Sequence, residues 1–285
     1  MNKNIFKLIV GILVIQMLVY LILSLGSLLD FIFYTLNGVQ EDFTYLGPLA
    51  IEYSDNLAPI LSSWSFILAL LATVTFFALA YLYDFGTDLG KTWIVIAIGI
   101  ALWTGGELIW LYYVFIAGEA PYPGLADVSW ILGYPVLVFG LVLLNRQIAL
   151  EISKKALYIY TAVMVVFSSL LLMVLIPPFT TDVEPLEAMV GLFYPIGDLF
   201  VLYFAGLIVL KFTADAEIRR SYILIVLSFI ITSIGDIFYA FTASLQGIYN
   251  YYAFDVADGL FIGGYTLLIV GGLAYYHLVS NVLAD

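Results

Sequence analysis

The sequence predicts an all-α integral membrane protein with eight transmembrane helices, both termini inside, arranged as a parallel 4+4 internal repeat. Three observations carry this prediction. First, 64% of the 285 residues are hydrophobic and 11% charged, with a mean hydropathy of +1.09; a soluble domain of this length needs far more polar surface to cover its core. Second, the apolar residues form long unbroken runs rather than ten-residue alternations. In lipid every backbone N–H and C=O must find an internal partner, so such runs select helices over a β-barrel. Third, ADVSWILGYPVLVFG at 126–140 returns in altered form as ADGLFIGGYTLLIVG at 257–271.

Eight runs are long enough to cross a bilayer: 5–36, 57–83, 92–117, 125–146, 155–177, 187–211, 220–246 and 256–281. The first follows Lys3 and Lys7 as a signal peptide would. It is too long for one, however, and has no small-residue cleavage site before Asp30, so it is read as helix 1. Basic residues are retained on the cytoplasmic side. With the N-terminus inside, the cytoplasmic segments hold all nine of them: Lys3, Lys7, Lys91, Arg146, Lys154, Lys155, Lys211, Arg219 and Arg220. The opposite loops hold Glu41, Asp42, Glu52, Asp55, Glu119, Asp182, Glu184, Glu187 and Asp255. The net charge of −12 is therefore mainly a property of the outer face. Such a face repels nucleic acid and anionic ligands and attracts cations, and it equally suits a salty environment.

The repeat extends upstream of the quoted stretches. GGELIWLYY at 105–113 precedes the first copy much as IGDIFYAFT at 234–242 precedes the second. Glu107 and Asp236 are 129 residues apart and Asp127 and Asp258 are 131 apart, so a two-residue loop difference aligns the copies. An even number of helices separates equivalent elements, which makes the copies parallel, with halves at 1–148 and 149–285. The glycines of the repeated helix, at 133 and 140 and at 263, 264, 271 and 272, predict close backbone approach between helices. Helices 3 and 4 are expected to pack about a pseudo-twofold against 7 and 8.

Carboxylates at membrane depth are costly and normally face the bundle interior with partners. At a rise of about 1.5 Å per residue, Glu107 lies roughly 22 Å and Asp236 roughly 24 Å beyond the cytoplasmic ends of their helices, in a core about 30 Å thick. Asp198, in FYPIGDLF, lies about 15 Å below the outer surface by the same rise. Asp127 and Asp258 open helices 4 and 8, where they suit helix caps and the positive end of the dipole as well as metal ligands. Asp30 is expected at the outer boundary too. No lysine or arginine reaches that depth, so these acids must be protonated, hydrogen-bonded to hydroxyls or paired with a cation. The hydroxyl candidates are Tyr112, Tyr113, Tyr134, Tyr194, Tyr239, Tyr265, Ser129, Thr104, Thr232 and Ser233.

Aromatic residues make up 17% of the chain, many of them expected in interfacial belts. Trp103, Trp110, Tyr112, Tyr113 and Trp130 gather near Glu107 and Asp127, which predicts either tight packing or an aromatic-walled, acid-floored pocket for a small cationic ligand. Glu107, Asp198, Asp236, Trp110, Tyr134, Tyr194 and Tyr265 are the ligand-binding candidates, with Asp127 and Asp258 as metal candidates. Carboxylates, carbonyls and water suit a hard divalent cation such as Ca²⁺ or Mg²⁺, but the spacing is no recognised metal motif. The chain has no cysteine and a single histidine, His277, which excludes thiolate sites and bis-histidine haem. Every lysine sits at a cytoplasmic helix end, which argues against a retinal Schiff base. Phosphate loops, nucleophile elbows and paired histidines are absent, so no enzyme is predicted.

Residues 120–147, APYPGLADVSWILGYPVLVFGLVLLNRQ, resemble the pattern of the multi-helix N-terminal membrane modules of bacterial GGDEF and EAL signalling proteins, which make or degrade cyclic di-GMP. YPIGDLFVLY at 194–203 and VADGLFIGGY at 256–265 resemble later parts of the same module, and the likeness covers roughly 95–280. The resemblance implies a sensory input module whose output domain is missing from this chain, which ends at Asp285; signalling would then need a membrane or cytoplasmic protein partner. A stand-alone sensor in the cell membrane, taking a small ligand or cation in an outward-facing acidic and aromatic cavity, is the expected function. A cation or proton transporter or channel is the alternative, and a structural subunit of a membrane assembly is a third.

Overall fold

The computed structural model describes residues 7–18, 47–118, 120–176, 184–212, 216–243 and 249–283. These residues form eight helices and no strand: α1 (Lys7–Leu18), α2 (Gly47–Leu82), α3 (Asp88–Tyr112), α4 (Leu125–Gln147), α5 (Lys154–Leu175), α6 (Pro185–Lys211), α7 (Ala216–Ala243) and α8 (Tyr249–Val282). Seven of them, α2 to α8, contain segments long and apolar enough to cross a membrane. Each expected run corresponds to a helix. The first, expected over 5–36, is described only as Lys7–Leu18, and Asp30, Glu41, Asp42, Glu119 and Asp182 lie outside the described residues. α2, at Gly47, and α8, at Tyr249, start furthest ahead of the positions hydropathy predicts. Their added turns carry polar residues that the apolar count leaves out.

Short polar devices set the helix ends. Between α2 and α3, Asp84 takes a left-handed conformation with φ 65° and its Oδ1 accepts the Gly86 N–H at 2.9 Å. Thr87 then caps α3, its Oγ1 accepting the Gly90 N–H at 2.9 Å. A side chain at Gly90 would begin 1.9 Å from the Asp84 carbonyl oxygen, so the turn folds onto α3 only with glycine there. Ser153 caps α5 through the Ala156 N–H, and Pro185 opens α6, where its missing N–H has no intrahelical partner to lose. α3 loosens into a π-helical turn, Tyr113–Ala117, closed by Gly118 at φ 78°.

Helix packing forms a closed ring, α2–α3–α4–α6–α7–α8 and back to α2, with α5 against α6 at the margin. The buried interior is apolar, with Leu68, Phe76, Trp93, Ile100, Leu137 and Ile262 almost fully enclosed. α5 instead turns Val163, Val166, Phe167 and Leu170 outward, as a lipid-facing helix does.

The α3–α4 and α7–α8 contacts are built alike. Gly140 meets Ile96 and Gly271 meets Ile225; Gly133 meets Trp103 and the Gly99 carbonyl, and Gly264 meets Thr232 and the Ser228 carbonyl. Gly106 meets Trp130 and Gly235 meets Phe261. In every case the residue on α7 is 129 positions after that on α3, and the residue on α8 is 131 after that on α4. A Cβ at Gly140 would lie 2.6 Å from Ile96 Cγ1 and 3.0 Å from its backbone nitrogen, leaving no room without separating the helices. Gly140→Val is therefore expected to lower stability by about 1–3 kcal/mol, with a similar loss for Gly271→Val. Thermal unfolding in detergent checks both.

Candidate functional site

The same close packing aims the site. With Gly133 seated on α3, the next residue, Tyr134, points across to α6 and α7. Gly197 on α6 makes room for its ring, since a Cβ there would stand 2.6 Å from Tyr134 Cδ1. Trp103, Phe193 and Tyr194 hold that ring edge-on, with centroids 5.2, 5.8 and 6.1 Å away. Its hydroxyl is thereby fixed 3.0 Å from Asp198 Oδ1 and 2.9 Å from Asp236 Oδ2. Tyr134 is buried, as is Asp198, while Asp236 is half-buried.

On the other side of the ring, the Tyr265 hydroxyl of α8 donates to Glu107 Oε1 of α3 at 3.0 Å, with the Trp130 indole within interaction range of the same carboxyl group. These two tyrosine contacts are reciprocal. Tyr134 and Tyr265 are 131 residues apart, and their acids Glu107 and Asp236 are 129 apart. The tyrosine of each Gly-Tyr helix thus reaches the carboxyl of the helix pair that does not contain it.

A third tyrosine, Tyr194, donates to Asp127 Oδ1 at 2.7 Å. Asp127 Oδ2 accepts the Gly124 N–H at 2.7 Å, in the reach-back position of a helix N-terminus. Asp127 therefore has both oxygens engaged, one as a cap and one as a link to α6. Asp258 departs from expectation. α8 begins at Tyr249, so Asp258 lies nine residues inside the helix and is no N-cap. It is half-buried and within electrostatic range of Glu107. Among the described residues no group of three His, Cys, Asp or Glu side chains is placed to hold a metal ion.

The other candidates divide. Trp110 packs on Trp130 with centroids 6.1 Å apart, and so backs the indole that serves Glu107. Tyr112 is 52% exposed and faces away from the acids. The Tyr113 hydroxyl accepts from the Leu125 N–H at 3.4 Å. Thr104 and Ser233 bond back to the Ile100 and Phe229 carbonyls of their own helices, Thr104 also meets the Thr73 hydroxyl of α2 at 2.9 Å, and Ser129 donates across to the Leu102 carbonyl of α3. Thr232 packs on Gly264. Tyr239 packs on Tyr122 with centroids 6.2 Å apart.

Tyr122 and Trp130 are the two site residues that sequence reasoning did not single out as partners. Tyr122 precedes α4 in the PYPG turn, half-buried beside the acids. Burial pushes its hydroxyl above the ordinary tyrosine range, and the charges of Asp127, Glu187 and Asp236 add to this. It stays a neutral donor at any physiological pH. A turn tyrosine five residues before an Ala-Asp helix start is the signal that marks it.

Chemically, the centre is a set of carboxyl groups held by phenol and indole donors. Glu107 takes a hydrogen bond from Tyr265, and the single hydroxyl of Tyr134 lies within bonding distance of both Asp198 and Asp236. The lysine nearest in the chain to any of them, Lys211, is engaged at the far end of α6, where its Nζ donates to the carbonyls of Asn145 and Ile148. Such a centre can bind positive charge or a hydrogen-bonding ligand. No protein-family profile, curated protein sequence or solved structure matches this chain.

Proposed function

We propose that the chain is a non-enzymatic sensor module of the cell membrane. It spans the bilayer N-in and C-in as a parallel 4+4 repeat with halves 1–148 and 149–285. A small ligand or cation enters the acid and tyrosine centre from the outer side. The reciprocal pairs Tyr134–Asp236 and Tyr265–Glu107 carry this reading, because each ties a helix of one half to a helix of the other. A ligand that satisfies the carboxyls better than the tyrosines do releases both ties together and shifts one half against its mate.

The opposite end of the bundle is suited to report that shift to a protein partner. There the hydroxyls of Tyr83 and Tyr275 lie 2.7 Å apart, joining the end of α2 to α8. Lys211 joins α6 to the end of α4. The resemblance of residues 120–147 to the membrane modules of GGDEF and EAL proteins points the same way. A cation or proton transporter is the second reading, favoured by the burial of Asp198 beside Asp236 within a bundle interior.

The absence of native cysteine makes a direct test simple. Spin labels at Gln147→Cys and Asn281→Cys report the separation of α4 and α8 at their cytoplasmic ends. Introducing Glu107→Gln with Asp236→Asn replaces the carboxyls that meet the tyrosines with amides, and the distance distribution is expected to change. An unchanged distribution contradicts the sensor reading. Cation or proton flux in proteoliposomes that Asp198→Asn abolishes decides for the transporter.

A further inference from the structure

The two reciprocal tyrosine–carboxyl pairs account for Tyr134, Tyr265, Glu107 and Asp236. They leave Asp198 over. In the repeat, α6 corresponds to α2, and the membrane segment of α2, Pro59–Leu82, contains no acidic residue. A symmetric clasp between halves therefore needs no carboxyl at the position of Asp198. Yet this side chain is 4% exposed and stands against a second carboxyl, where an unpaired charge is expensive.

Tyr134 has one hydroxyl proton, and its oxygen lies within hydrogen-bond distance of a carboxyl oxygen on each side, 3.0 Å from Asp198 and 2.9 Å from Asp236. It can donate to only one of them. At the other contact two oxygens face each other at bonding distance, which requires that a positive charge lie between them. Asp198 Oδ2 is buried without a hydrogen bond of regular geometry. The neighbouring Ser233 hydroxyl is engaged by the Phe229 carbonyl of its own helix at 2.7 Å.

The groups facing the pair from each packed element are Tyr134 of α4, Glu107 of α3, Tyr265 of α8, Tyr194 and Asp198 of α6, Tyr239 of α7 and Tyr122 of the preceding turn. All are acids or phenols. Asp236 is half-buried, so the pair is not sealed from exchange.

We propose that Asp198, Asp236 and the Tyr134 hydroxyl form a site for one exchangeable positive charge, a proton or a small monovalent cation such as Na⁺. A divalent ion is the wrong occupant, since it seeks six to eight oxygen ligands and the described residues offer no third carboxylate in place. The inference rests on the acid centre being the working site of the module, as above, but not on its passing a signal.

The test is an infrared titration of the whole protein in nanodiscs, with choline chloride exchanged for NaCl at constant ionic strength between pH 5 and 9. In choline a protonated-carboxyl band is expected. Adding Na⁺ removes it, and the Na⁺ concentration for half effect rises about tenfold for each unit fall in pH, because one ion replaces one proton. A band that responds to pH but not to Na⁺ assigns the proton as sole occupant. Asp198→Asn abolishes the response, and Tyr112→Phe, at an exposed side chain outside the site, preserves it. A band that ignores both pH and Na⁺, or a response that survives Asp198→Asn, overturns the proposal. The wild-type titration alone decides should Asp198→Asn fail to fold. Distances between spin labels that stay fixed alongside a full Na⁺ and pH response reject the sensor and leave the site intact.

Discussion

Tyr134→Phe is expected to destabilise the bundle by about 2–5 kcal/mol, more than any other loss of a single hydroxyl, because it removes a partner from two carboxyl groups at once. The ring survives and so does its packing. Trp103, Phe193 and Tyr194 still hold it edge-on, and Gly197 still makes room for it. The loss therefore measures the polar contacts alone. Tyr112→Phe is the control: its side chain is 52% exposed, and no change in stability is expected. Reversible unfolding in mixed micelles, monitored by tryptophan fluorescence, reads both.

Asp198→Asn is expected to move stability the other way, by about 1–2 kcal/mol in favour of the folded state, since replacing a poorly compensated buried ion with a neutral group is commonly neutral or stabilising. The new amide can donate to the Tyr134 oxygen while the Tyr134 hydroxyl donates to Asp236, so the three groups are satisfied without an added positive charge. Sensitivity to Na⁺ and pH is expected to disappear in the same variant. A carboxyl retained for architecture alone gives the reverse, a loss of stability on substitution. The sign of this one change thus separates a structural acid from a working one.

The helices were legible because hydropathy in long runs records membrane-length segments directly, and the repeated glycines were legible because only small residues allow the observed approach of α3 to α4 and of α7 to α8. Glu107 and Asp236 stood out for the same reason, as charges with no apolar excuse. What the sequence hides is which hydroxyl meets which acid. Tyr134 follows Gly133 by one residue, and its direction depends on where Gly133 seats against Trp103 and the Gly99 carbonyl. That is a matter of three-dimensional packing. Ser129 and Tyr134 look equally suitable on paper, yet one donates to the Leu102 carbonyl and the other stands between carboxyls on two different helices.

Asp258 was misplaced for a simpler reason. The polar residues Asn250 and Asp255 lower the hydropathy before 256, and the helix nevertheless starts at Tyr249. Backbone hydrogen bonding inside a helix does not require apolar side chains, so a hydropathy boundary marks a change of surroundings rather than a helix end. The same mismatch separates the expected start of α2, at 57, from Gly47. The π-helical turn after Tyr112 carries no sequence signal beyond the glycine that ends it.

Two reciprocal pairs, Tyr134 with Asp236 and Tyr265 with Glu107, tie the halves of the ring together. The most direct measurement is a double-mutant cycle on each pair, Tyr134→Phe with Asp236→Asn and Tyr265→Phe with Glu107→Gln, by unfolding in mixed micelles. Coupling of about 1–2 kcal/mol in both cycles is the predicted result for side chains in contact. Additive losses in both cycles, with no coupling beyond about 0.5 kcal/mol, contradict it.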